Sequence, residues 1–169
     1  MKARNTSSSS ENKIHDDETA RRFGFRGALV PGVTVYAYLT HPLVEAFGAA
    51  WLERGTASVR FTKPIHDGEE VLVAGAVTAR DTKSVAATVS ASTAAGGECA
   101  TLTATLPAGS PVALNLAHYR SAPLPEDRPV ATRAHFASLD ALGTPVNAYD
   151  DARAAEYLDR FSDALAVYR

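Results

Sequence analysis

Gly32-Val-Thr-Val-Tyr-Ala-Tyr-Leu-Thr-His-Pro-Leu-Val-Glu-Ala-Phe47 is the stretch on which the fold turns. Val33, Tyr36, Leu39, Leu43, Val44 and Phe47 recur within it at three- and four-residue spacings, which gathers them on one broad stripe of a helix. Pro42 brings no N–H to the helical ladder and crowds the carbonyl four residues back, so a kink or break is expected near Thr40 and His41. A final turn from Ala49 to Arg54 ends at Gly55. Beyond Gly55 the period changes from helical to alternating. Val59 and Phe61, then Val71, Val73 and Val77, then Val85, Ala87 and Val89, then Leu102, Ala104 and Leu106 read as four strands. Asp67-Gly68, Asp81 to Ser84 and Ala95-Gly96-Gly97 supply turn residues between them, so neighbouring strands are expected to pair antiparallel. Such a sheet needs a cover on its apolar face, and the long apolar helix starting at Gly32 is the one available. The expected class is α+β, a curved antiparallel sheet wrapped around a central helix.

On the N-terminal side, residues 1–9 are small and polar and read as a mobile arm. His15 to Phe23 suits a short helix, with Asp16, Asp17 and Glu18 at its positive end, Arg21 and Arg22 at its negative end, and Gly24 as its stop. His15 is thereby set at a helix entrance. On the C-terminal side, prolines at 107, 111, 123, 125, 129 and 145 break regular structure until Asp150 to Tyr168, where Ala154, Tyr157, Leu158, Phe161 and Leu165 form an apolar stripe. The chain of 169 residues thus divides into a domain over 1–106 and a proline-rich extension over 107–169.

Composition excludes several classes. With 17 basic and 19 acidic side chains, scattered, the formal net charge of −2 offers no field that gathers nucleic acid or an anionic membrane. No apolar run is long enough to span a bilayer, and Lys2 and Arg4 lead into Thr6 and serines rather than a secretory core, so a cytoplasmic protein is expected. The single cysteine, Cys99, rules out an internal disulfide and reads as a small buried filler. Gly24-Phe-Arg-Gly27 lacks the third glycine and the preceding strand of a dinucleotide fingerprint, and no metal-ligand spacing occurs. Neither a metal nor another cofactor is implied.

Two motifs carry chemistry. Asn12-Lys-Ile-His15-x-Asp17-x-x-Ala20, followed by Gly24-Phe25-x-Gly27-x-Leu-Val-Pro-Gly32, resembles the MaoC-like hot-dog dehydratases and (R)-specific enoyl-CoA hydratases. Arg60-Phe61-Thr-Lys-Pro64-Ile-His-Asp-Gly68-Glu69 resembles their second signature, and the resemblance covers about residues 10–106. It implies a hot-dog fold and a hydro-lyase that adds or removes water at the 2,3-position of an acyl-CoA or acyl-carrier-protein thioester. It also implies that His15, Ser10 and Asn12 make up the catalytic loop. Histidine exchanges protons near neutrality, as addition of water to a conjugated thioester requires. Pro31, Gly32 and Val33 match the helix start that binds the substrate carbonyl, where a backbone N–H and the helix dipole stabilise enolate character.

Two positions depart from the family pattern. Its motif reads Asp-x-Asn-Pro-x-His, and the aspartate position is Ser10, which cannot act as a base without an activator of its own. Pro31 replaces the histidine that usually precedes the helix-start glycine. These departures leave open a hot-dog thioesterase or polyketide-type tailoring enzyme, and a non-catalytic acyl-binding or partner subunit. Tyr157-Leu-Asp and Val167-Tyr-Arg resemble the lead-in of a second hot-dog repeat. A homodimer, or a hetero-oligomer with a second hot-dog subunit, is expected. His41, His66, His118 and His135 show no partner pattern and receive no role.

Overall fold

A computed structural model describes residues 1–8, 13–148, 150–161, 165 and 167. Four strands, β1 (Thr56–Phe61), β2 (Val71–Arg80), β3 (Ser84–Thr93) and β4 (Gly97–Pro107), form one antiparallel sheet in the order β1-β4-β3-β2. Hairpins join β2 to β3 and β3 to β4, with Gly97 taking the positive φ of +64° that the second turn needs. Asp67-Gly68 closes no hairpin, because β4 lies between β1 and β3 and β1 has no pairing with β2. The connection 62–70 instead crosses to the far edge, turning at Gly68 with φ +80°.

Against this sheet lies α2 (Gly32–Phe47), followed at Gly48 by α3 (Ala49–Arg54), which stops at Gly55. Leu39, Leu43 and Val44 meet Ala87, Val89, Ala91, Leu102 and Ala104 in the core, and Cys99 is buried there as a filler. The arrangement is the hot-dog fold. Pro42 does not break α2, which runs unbroken through it. The Thr40 hydroxyl donates to the carbonyls of Tyr36 and Ala37 in the turn where the ladder is disturbed. The buried stripe is also rotated from its expected position. Thr34, Val35 and Tyr38 face inward, whereas Val33 and Tyr36 are 70% and 39% exposed.

The N-terminal residues are not a mobile arm over 1–8. Met1 and Val71 exchange backbone hydrogen bonds, Lys2 bridges Glu70, and the Ala3 N–H donates to Glu69 O. Ala3 is only 1% exposed, and the Arg4 N–H donates to the Tyr38 hydroxyl. The pairing is made by the backbone of Met1 to Arg4 rather than by their side chains.

By its internal contacts the chain forms two units, Met1–Pro111 with Ala152–Arg169, and Val112–Asp151. The first contains α5 (Asp151–Phe161) from Ala152 onward, and in it Leu165 packs half-buried against the core. The second holds α4 (Arg133–Ala137), capped by the Thr132 hydroxyl, and a two-way pairing of Ala122 with Thr144. No helix among the described residues is long and apolar enough to cross a membrane.

Candidate functional site

Two short elements lead into the site. Lys13–His15 forms one 3-10 turn, and Asp16 then caps α1 (Asp17–Arg22) by accepting from the Thr19 N–H at 2.9 Å. That N–H, then the Thr19 hydroxyl, holds the Asp16 carboxyl below the ordinary aspartate value. The helix ends through Phe23, and Gly24 at φ +87° reverses the chain. The segment Gly27-Ala28-Leu29 returns past the start of α1 and pairs with the 62–70 connection, through Leu29 opposite His66.

Three successive residues of that segment hold three ionisable side chains. His66 Nδ1 donates to Gly27 O at 3.0 Å. The Ala28 N–H donates to Asp17 Oδ1 at 3.0 Å, and His15 Nδ1 donates to Leu29 O at 2.8 Å. A carbonyl only accepts, so in both imidazoles Nδ1 carries the proton and Nε2 has the lone pair when the ring is neutral. The Ala28 N–H, then the Arg21 guanidinium, keeps Asp17 below the ordinary aspartate value, with His66 adding to the effect. A Cβ at Gly27 would meet Asp17 Oδ1 at 2.8 Å, so a side chain there would displace the carboxylate from the Ala28 N–H.

These groups line a cleft of about 560 Å³ together with Asp67, Glu69 and Arg26. Asn5 braces it twice, donating through its backbone N–H to Asp67 Oδ1 and through Nδ2 to the His15 carbonyl. Glu69 accepts from the His66 N–H and pairs with Arg26, which fixes the backbone that carries His66. His15 is half-buried and His66 is 8% exposed. A histidine so enclosed keeps one orientation, whereas one on an open surface does not.

The helix start lies in a second cleft of about 390 Å³, lined by Phe25, Val30, Gly32, Val35, Phe61 and Ile65 among others. Pro31 is the N-cap residue and has no side chain to cap with, so the first N–H groups of α2 are left for another acceptor. A Cβ on Gly32 would stand 3.5 Å from the Phe61 ring, an ordinary van der Waals contact beside this apolar cleft. Pro31 is buried, and Val33 projects outward at 70% exposure.

Among the residues expected from sequence, His15 thus belongs to the polar cleft and Gly32 to the apolar one, with Leu29, Val30 and Pro31 between them in the chain. Ser10 and Asn12 lie outside the described residues. His66, which shows no partner pattern in the sequence, shares the cleft with His15. Its anchor, Gly27, is 39 residues away, so no local pattern could have revealed it.

No protein-family model and no curated protein sequence matches the chain. Among solved structures it is similar to a ChsH1–ChsH2 complex from Mycobacterium tuberculosis, at 18% identity and a TM-score of 0.51 over 59% of this chain and 78% of that one. It is also similar to a thioesterase from Thermus thermophilus complexed with coenzyme A and zinc, at 21% identity and a TM-score of 0.41 over 53% and 75%. A further thioesterase superfamily protein shares 20% identity at a TM-score of 0.41 over 47% and 40%. The first of these likenesses shows the hot-dog fold.

Proposed function

We propose that the protein is a cytoplasmic hydro-lyase of the MaoC-like kind, acting at the 2,3-position of an acyl thioester carried by coenzyme A or an acyl carrier protein. The observation that carries this reading is the His15 ring, whose Nδ1 is committed to Leu29 O at 2.8 Å so that Nε2 is the basic nitrogen of a cleft-lining imidazole. Leu29 and Gly32 are three positions apart, at most about 11 Å of chain. His15 then removes a proton from water while the uncapped start of α2 receives the thioester oxygen through backbone N–H groups. The apolar cleft at Val30, Val35 and Phe61 takes the beginning of the acyl chain. Ser10 and Asn12 remain part of the proposed water-holding loop.

Two further features support a self-associating enzyme. Val33 and Tyr36 leave apolar surface at the helix start, and β2 is an edge strand whose Leu72 and Val77 are 70% and 52% exposed. We infer a homodimer, with pairing to a second hot-dog subunit as the alternative assembly.

The test is incubation with trans-2-enoyl-CoA substrates of several chain lengths, following loss of the conjugated thioester absorbance alongside free-thiol release. Hydration is expected, falling by about 10²- to 10⁴-fold in His15→Ala. Ser10→Asp, which restores the family's carboxylate, is expected to raise the rate. Thiol release without hydration would replace this reading with a thioesterase. Ligand binding with neither reaction would make the protein an acyl-binding subunit.

A further inference from the structure

His66 and His15 come from different parts of the chain, yet their Nδ1 atoms are held by carbonyls two residues apart, Gly27 O and Leu29 O, about 7 Å in extended backbone. Both rings line the same cleft. His66 is the more enclosed of the two, at 8% exposure, and its backbone N–H is fixed by Glu69 Oε2 at 2.9 Å. The Gly27 bond fixes the ring and the Glu69 bond fixes the backbone that carries it, so the imidazole is held in one place beside the cleft. The titratable and charged groups that line the cleft with it are His15 and Asp16 just ahead of α1, Asp17 and Arg21 of α1, Arg26 of the following loop, and Asp67 and Glu69 of its own connection.

We propose that His66 is a second catalytic residue, the proton carrier that takes over the role left open where Ser10 replaces the family's aspartate. The proposal rests on the hydro-lyase reading above. In hydration, His15 Nε2 accepts a proton from water as the water oxygen bonds to Cβ, and the C=C electron pair moves toward the thioester carbonyl to give an enolate. The enolate re-forms the carbonyl as Cα takes the proton from the Nε2–H of a protonated His66. The proton on His15 passes back to His66 through water in the cleft, so one water is added and no net proton is consumed. Dehydration runs the same steps in reverse.

The decisive variant is His66→Asn, because an asparagine amide nitrogen stands where Nδ1 stands and can still donate to Gly27 O, while the titrating Nε2 is gone. Thermal unfolding should shift by less than about 4 °C. Hydration of enoyl-CoA should fall by about 10²-fold in kcat, and the pH profile of kcat/KM should lose one of its two limbs. His15→Asn should remove the other limb. Unchanged kcat with both limbs retained in His66→Asn would overturn the proposal.

A second measurement stands apart from turnover. Imidazole ¹⁵N spectra recorded with an unreactive acyl-CoA thioether should show both Nε2 resonances shifting on binding. If the wild type hydrates no substrate but both nitrogens respond, the hydro-lyase reading fails while the His66 contact stands. If only His15 responds, His66 is a structural residue and the proposal is overturned.

Discussion

A side chain at position 27 would collide with the carboxylate that the neighbouring Ala28 N–H holds, the Cβ lying 2.8 Å from Asp17 Oδ1. Gly27→Ala is therefore expected to push Asp17 off its donor, lowering Tm by about 2–4 °C in a calorimetric scan. On the hydro-lyase reading proposed above, hydration should drop with it. Asp16, Asp17 and Asp81 all sit below the ordinary aspartate value because backbone N–H groups donate to them, Thr19 N–H to the first, Ala28 N–H to the second, and the Lys83 and Ser84 N–H groups to the third. A depressed carboxyl contributes stability that is fully present above its unfolded value near 3.8 and is lost as pH falls through the lower folded values. Melting measured against pH should accordingly be insensitive to these groups around neutrality and decline below about pH 4, with Asp81→Asn shallowing that decline. Asp17 and Asp81 are exposed and Asp16 is only half-buried, so the effect is modest. At this scale the place of His15 just ahead of a short helix was legible, because Asp16, Asp17 and Gly24 mark the start and stop of that helix. His66 was not, since its partner is brought to it only by the pairing of Leu29 with the 62–70 connection.

The helix α2 gives a different lesson. Its existence, its bounds near Gly32 and Phe47, and the stop of α3 at Gly55 follow from spacing and from glycine, and they are found. Its orientation does not follow, because the first two turns are apolar or β-branched nearly all round and period alone cannot choose a face. Partners beyond the helix decide it. The Arg4 N–H meets the Tyr38 hydroxyl and Thr6 meets Thr34 at 2.8 Å, so the polar tips of inward-facing residues are satisfied by the N-terminal strap. Burial pushes the Tyr38 phenol up, and the Arg4 N–H that donates to it works in the opposite direction. Further along, Leu39 is 0% exposed at the centre of the contact with the sheet. Leu39→Ala should lose about 2–5 kcal/mol in urea denaturation, through lost transfer energy and the cavity left behind. Thr34→Val should lose about 1 kcal/mol, because it strands the Thr6 hydroxyl.

Across the whole molecule, lengths explain where the core ends. Sixteen residues of α2 span about 24 Å, whereas ten residues of β2 span about 33 Å, so one helix cannot cover the full strand. Val71 is 2% exposed, Val73 is half-buried against the core, and Val77 is 52% exposed. All three share the face on which Gly75 meets Pro42 of α2, so the apolar alternation read from the sequence was correct and the cover falls short. Among the described residues the outer edge of β2 is likewise paired only at its start, where Met1 meets Val71. A strand left open both on its inner face and along its edge is what a second copy would cover. On that reading the wild type should sediment at twice the 17.8 kDa of one chain. Val77→Lys should sediment as a monomer with an unchanged far-ultraviolet spectrum, because a lysine there meets water in the monomer and an apolar partner face in the dimer. Wild-type protein that stays at the mass of one chain across the accessible concentration range would remove the homodimer and leave a different hot-dog subunit as the partner to seek.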